Sequence, residues 1–124
     1  MESEKNNWRK VRADQRFLNA FRGLRVFIAT TEHIVAHIIA AVSTLILGFY
    51  FSISNFEWIA LVLSIGFVFV SEIFNTAIEI DIDLTSPEFH PYARDTKDVA
   101  AAAVLFSSLI AVVVGLIVFL PKVL

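Results

Sequence analysis

Residues 72–83 read Glu72-Ile-Phe-Asn75-Thr-Ala-Ile-Glu79-Ile-Asp81-Ile-Asp83, with Glu72, Asn75, Glu79 and Asp83 recurring at intervals of three, four and four. At about 100° per residue, these four fall within roughly a quarter-turn of a helix, one polar stripe on an apolar surface. Asp81 lies two residues from both Glu79 and Asp83, so it points about half a turn away from the stripe. Carboxylates are costly in hydrocarbon and persist there when paired, metal-bound or facing a wet cavity. The segment therefore reads as a helix at a membrane, and its stripe as the candidate active site.

The rest of the composition agrees. The chain has 124 residues, 57% of them hydrophobic, 12 Phe and a mean hydropathy of +0.73. That is too short for two domains and too apolar for an ordinary soluble one, so residues 1–124 are read as a single all-α membrane domain. With no Cys, disulfides, thiolate ligands and a Cys nucleophile are excluded, and any metal must be held by oxygen or by the three His. Four Gly and no glycine-rich phosphate loop exclude the usual nucleotide-binding folds. Seven of the ten basic residues, Lys5, Arg9, Lys10, Arg12, Arg16, Arg22 and Arg25, lie in the first fifth of the chain, which predicts a cytoplasmic N-terminal segment. No cleavable signal peptide is expected, because the basic region is long and mixed and lacks a small-residue cleavage site.

Outward from the stripe, an amphipathic surface helix is expected within residues 1–29, over Trp8 to Ala29. Phe17, Leu18, Phe21, Leu24 and Ile28 recur at helical spacing, and Arg12, Arg16, Arg22 and Arg25 supply a cationic side suited to anionic headgroups. A soluble amphipathic helix packed on the core is the blander reading. Three spans are expected, over residues 33–53, 57–82 and 98–120. A turn at Ser54 to Phe56 sends the second back antiparallel, Pro87 stops it after Ser86, and the third ends at Pro121. The segment Leu84 to Thr96 reads as the cytoplasmic loop. The run Ala100 to Ala103 reads as a close-packing face.

This hairpin would gather Glu72, Asn75, Glu79, Asp83, Lys97 and Asp98 near the inner membrane face. Carboxylates one or two turns apart with an amide between them make a hard-oxygen set for Mg²⁺ carrying nucleotide phosphates. A deeper, desolvated carboxylate such as Glu72 suits a general base on a lipid hydroxyl, and Lys97 suits phosphate charge. A helix–helix hydrogen-bond network, or an ion path in a small transporter, fits the same spacing. His37 within the first span reads as a polar contact between helices rather than a ligand, and His33 and His90 as interfacial.

The string Glu72-Ile-Phe-Asn75-Thr-Ala-Ile-Glu79, then Asp83, then Ala93-Arg-Asp-Thr-Lys97-Asp98-Val-Ala-Ala-Ala-Ala-Val104, resembles the prokaryotic diacylglycerol kinase family, which includes the undecaprenol kinases. The likeness runs from Arg16 to Lys122. It implies a homotrimeric, multi-pass kinase of the bacterial cell membrane, with its active site on the cytoplasmic side, that moves the γ-phosphate of ATP onto a lipid alcohol with Mg²⁺ as cofactor. The implied partners are the bilayer, the lipid substrate, MgATP and two further copies of the chain, with no nucleic acid. By resemblance, Glu72 is the catalytic base and Glu79 a metal ligand. Asn75, Lys97 and Asp98 shape the nucleotide and phosphate site, with Asp83 beside it, and Arg12 aligns with a basic nucleotide contact.

One departure from the family pattern concerns the metal. The family's second metal-binding Glu, eight residues after the surface-helix Gly, would fall at position 31, where Thr31 stands and Glu32 follows. One residue is a rotation of about 100° on a helix, so Glu32 serves as the ligand only if the Thr30-Thr31 segment kinks; otherwise it is an interfacial charge. The segments Pro87-Glu-Phe-His-Pro91 and Phe119-Leu-Pro-Lys122, and Ala100-Ala101 in place of a Gly-Ser pair, resemble the undecaprenol branch. Undecaprenol is therefore the expected substrate, diacylglycerol the alternative, and a non-catalytic membrane scaffold the alternative of a different class.

Overall fold

The computed structural model of the chain describes residues 13–124, and these form four helices: α1 (Ala13–Thr30), α2 (Ile34–Tyr50), α3 (Asn55–Thr85) and α4 (Pro91–Val123). The chain divides after Thr31 into two units, the first containing α1 and the second α2, α3 and α4. On α1, Phe17, Leu18, Phe21, Leu24 and Ile28 are all exposed, an uncovered apolar stripe at helical spacing. Thr30 closes the helix by donating its hydroxyl to the Val26 carbonyl at 2.8 Å. The backbone then leaves helical geometry over residues 31–33, so Glu32 sits in a turn and not on a continuous helix face.

In the second unit, α3 and α4 are an antiparallel pair, tied at one end by Lys97 to Asp83 and at the other by Lys122 to Glu57. Each is long and apolar enough to cross a membrane. At about 1.5 Å per residue, the 31 residues of α3 extend about 46 Å, well beyond a hydrocarbon core of about 30 Å. The 17 residues of α2 cover about 26 Å by the same rise. The least exposed positions of α2 are Ile34, His37, Ala41, Thr44, Leu45 and Gly48, the three-and-four spacing of one helix face. Leu61, Ser64, Val68, Ser71, Glu72 and Thr76 are the buried positions of α3. Its buried stripe thus runs straight into the polar one. Ser64, Ser71 and Ser107 each donate their hydroxyl to a carbonyl of their own helix, so these small polar residues sit at a close helix contact with their donors satisfied.

The helix ends explain where the sequence expectation and the structure part. Ser54 caps α3 with a capping box: its backbone N–H donates to Glu57 and its side chain accepts from the Glu57 N–H, so the helix opens at Asn55. The loop after α3 is Ser86 to His90 and not Leu84 to Thr96, because Pro91 occupies the first turn of α4 and His90 caps it, Nδ1 accepting from the Tyr92 N–H at 3.1 Å. A proline at the first helical turn lacks only an N–H that would have no partner anyway. Nor does Pro121 end α4, which continues to Val123. The missing N–H removes a single bond in the last turn, and Lys122 anchors that turn to Glu57 at 2.9 Å. Of the Ala100 to Ala103 run, only Ala100 is buried.

Candidate active site

Burial falls off along the polar stripe from one end to the other. Glu72 is buried, Asn75 half-buried, and Glu79 and Asp83 exposed. Glu72 is placed by the packing face of α3, next to buried Ser71, while Phe74 two residues on is exposed. Its carboxylate Oε1 lies 2.6 Å from Nε2 of His37, on the first turn of α2. This is the interhelical contact expected of His37, and its partner is the candidate base. The imidazole also stands edge-on to Phe69, centroids 6.4 Å apart.

One turn further along α3, Asn75 Nδ2 donates to Glu79 Oε1 at 3.2 Å, while Asn75 Oδ1 is a buried acceptor without a partner among the described residues. Such an orphan costs about 1–3 kcal/mol unless a donor or cation meets it. Asn75 Oδ1 and Glu79 together fit a hard cation that takes few protein oxygens and completes its shell with water and phosphate. Among the described residues, no three His or acidic side chains converge on one metal position. Glu32 is exposed in its turn before α2 and belongs to no such group.

At the open end, Lys97 on α4 donates to Asp83 on α3 across the loop. That hydrogen bond, with the added charge of Asp83 and Glu79, holds the Lys97 ammonium above the ordinary lysine value, so it is cationic whenever phosphate is ionised. A cleft of about 280 Å³ opens beside this pair, lined by Asp83, Ser86, His90, Arg94 and Lys97 among others. Asp98 is exposed on the neighbouring position of α4. Arg12 lies outside the described residues. The structure thus joins His37 to Glu72, Asn75 to Glu79 and Asp83 to Lys97, and brings neither Asp98 nor Glu32 into these pairs. Asp81 is exposed, and its carbonyl accepts from the Thr85 hydroxyl.

The profile of the family described as prokaryotic diacylglycerol kinase matches residues 18–119. The chain is 41% identical over 106 residues to a Bacillus subtilis (strain 168) protein named undecaprenol kinase, covering 86% of each. It is 38% identical over 68 residues to a Helicobacter pylori (strain ATCC 700392 / 26695) diacylglycerol kinase, covering 55% of this chain and 53% of that one. It is 31% identical over 109 residues to a Synechocystis sp. (strain ATCC 27184 / PCC 6803 / Kazusa) diacylglycerol kinase, covering 87% and 62%. A match spanning the stripe, the loop and the opening of α4 makes this chain a member of the prokaryotic diacylglycerol kinase family.

Proposed function

We propose that this chain is an ATP-dependent kinase of a membrane lipid alcohol, with undecaprenol as its substrate and undecaprenyl phosphate as its product. The observation that carries the reading is the graded stripe: a sheltered carboxylate at Glu72 leads to a more exposed, oxygen-rich and cationic end at Asn75, Glu79, Asp83 and Lys97. A hydroxyl attacking phosphate needs a base out of bulk water, and the triphosphate needs charge neutralisation at the solvated end. The undecaprenol assignment is supported by the relative named for that substrate, matched over most of both chains, and by the Pro87–Pro91, Ala100-Ala101 and Phe119–Lys122 segments.

In the transfer, Glu72 accepts the proton of the lipid hydroxyl as that oxygen bonds to the γ-phosphorus. The bond from phosphorus to the β,γ-bridging oxygen breaks, and ADP leaves. Lys97, steadied by Asp83, offsets charge on the phosphates, with Asp98 and Arg12 as further contacts to the nucleotide. Glu79 and Asn75 would hold Mg²⁺, with Glu32 as a second carboxylate from the turn before α2; when bound, the ion neutralises the phosphates.

The surrounding molecule is read to match. The N-terminal basic cluster keeps residues 1–29 and the 86–90 loop on the cytoplasmic side of a bacterial plasma membrane, α1 lies in the interface, and α2, α3 and α4 are the three spans of one domain. The active unit is a homotrimer. Its support is the family resemblance, which implies three copies of the chain; the apolar residues α4 leaves uncovered, including Leu105, Phe106, Leu109, Val113 and Ile117, suit lipid or a neighbouring copy alike.

Transfer of radiolabelled phosphate from ATP in mixed micelles, with undecaprenol and diacylglycerol offered together, tests the substrate. Label is expected chiefly in undecaprenyl phosphate. Label chiefly in phosphatidic acid makes diacylglycerol the substrate, and label in neither makes the chain a scaffold.

A further inference from the structure

We propose that His37 is the positioning residue for Glu72: its Nε2–H, donated to Oε1, fixes the carboxylate so that Oε2 faces the lipid hydroxyl. This rests on Glu72 being the base. Of the two carboxylate oxygens, Oε1 lies 2.6 Å from His37 Nε2, so in the proposed pairing Oε2 is the one left to take the proton. The side chains are 22% and 9% exposed, so neither has much water as an alternative partner. The ring is itself restrained, edge-on to Phe69 at 6.4 Å and 63°, and sits on the packing face of α2 with buried Ile34.

The physical need is specific. A Glu side chain has three rotatable torsions, and a free one near the membrane would spend its time in several rotamers. A single donor at fixed height selects one, and an N–H aimed at the oxygen offsets the cost of keeping a carboxylate ionised away from bulk water. Misplacing a reacting group by about 1 Å can cost about 10²-fold in rate. Sequence periodicity cannot reveal the pair, since its members lie on different helices. The sequence does place both on apolar helices, each at the polar break in a packing face.

The test is a set of variants of the full chain, assayed for phosphate transfer to undecaprenol in mixed micelles. His37→Ala should lower kcat by about 10²-fold while the KM for ATP stays near wild type, since the nucleotide end of the stripe is untouched. His37→Gln, whose amide nitrogen reaches as far as Nε2, should recover most of that loss, and His37→Asn, whose amide falls short, should not. In a Glu72→Gln background, His37→Ala should bring no further loss, because residues acting as a unit are not additive. A kcat for His37→Ala close to wild type, or equal loss in the Ala and Gln variants at unchanged thermal midpoint, overturns the proposal. If the Ala variant does not fold, nitrogen NMR of a ¹⁵N-histidine-labelled chain with His33→Gln and His90→Gln decides. The His37 Nε2 resonance should move on Glu72→Gln, and an unmoved resonance overturns the pairing. Should Glu72→Gln itself retain transfer, the base assignment fails whatever His37 does. An inactive Glu72→Gln beside a fully active His37→Ala sinks the His37 proposal alone.

Discussion

Asn75 and Glu79 show how far a single turn of helix defines a site. Their i,i+4 spacing is enough to place them side by side, and their side chains do meet at 3.2 Å. What spacing does not reveal is that the bond uses only the amide nitrogen, leaving Oδ1 buried without a partner among the described residues. That acceptor, with Glu79, suits the role of a cation ligand. Asn75→Ala and Glu79→Ala should each raise the Mg²⁺ concentration giving half-maximal activity, by about tenfold or more, and change the KM for lipid much less. Titration of Mg²⁺ at fixed ATP measures this; an unchanged midpoint would return both residues to a purely structural hydrogen bond. The His37–Glu72 contact is not legible in the same way. Its members are on separate helices, and local periodicity says nothing about which residue of α2 meets which residue of α3.

Among the elements, the angular reading of α3 makes a sharp distinction between two neighbouring aspartates. Asp83 holds Lys97 across the loop, whereas Asp81 is exposed and its carboxylate takes no part in the pairs along the stripe. Removing a group that steadies the cation proposed to meet phosphate should be felt, so Asp83→Asn is expected to lower turnover about tenfold or more. Asp81→Asn should stay within about twofold. Steady-state assay of the two variants checks the register, and equal sensitivity would mean that Asp81 also faces the site. The helix cores are legible from apolar runs, but their ends are not. His90 before Pro91 is a helix start that the prolines disguise as loop, and Pro121 is tolerated because the final turn has an ion pair to Glu57.

Gly48 is another elemental detail hidden from periodicity. A Cβ there would come within 2.6 Å of the Trp58 ring, and that ring cannot swing away freely because Phe49 packs against it with centroids 4.8 Å apart. Gly48→Ala should therefore destabilise the α2–α3 corner by about 1–3 kcal/mol. The thermal midpoint in detergent should fall, and Trp58→Leu in the same chain should restore part of it. An unshifted midpoint would mean that the corner has room to spare.

For the whole molecule, composition alone indicates a helical membrane protein, and the apolar lengths of α3 and α4 agree with it. The catalytic assignment proposed for Glu72 rests on the family likeness and on one gradient, buried at Glu72 and exposed at Asp83. The turn at residues 31–33 matters at this scale too, since it removes Glu32 from a helical register. Everything proposed for the reaction converges on the Glu72 carboxylate taking a proton from a lipid hydroxyl. The most direct measurement is phosphate transfer from labelled ATP to undecaprenol by the wild-type chain and by Glu72→Gln, matched for helicity and oligomeric state. Wild type should label the lipid and Glu72→Gln should lose about 10²-fold or more of that rate; a variant that kept roughly a third of wild-type turnover, far above the loss of a general base, would contradict the assignment.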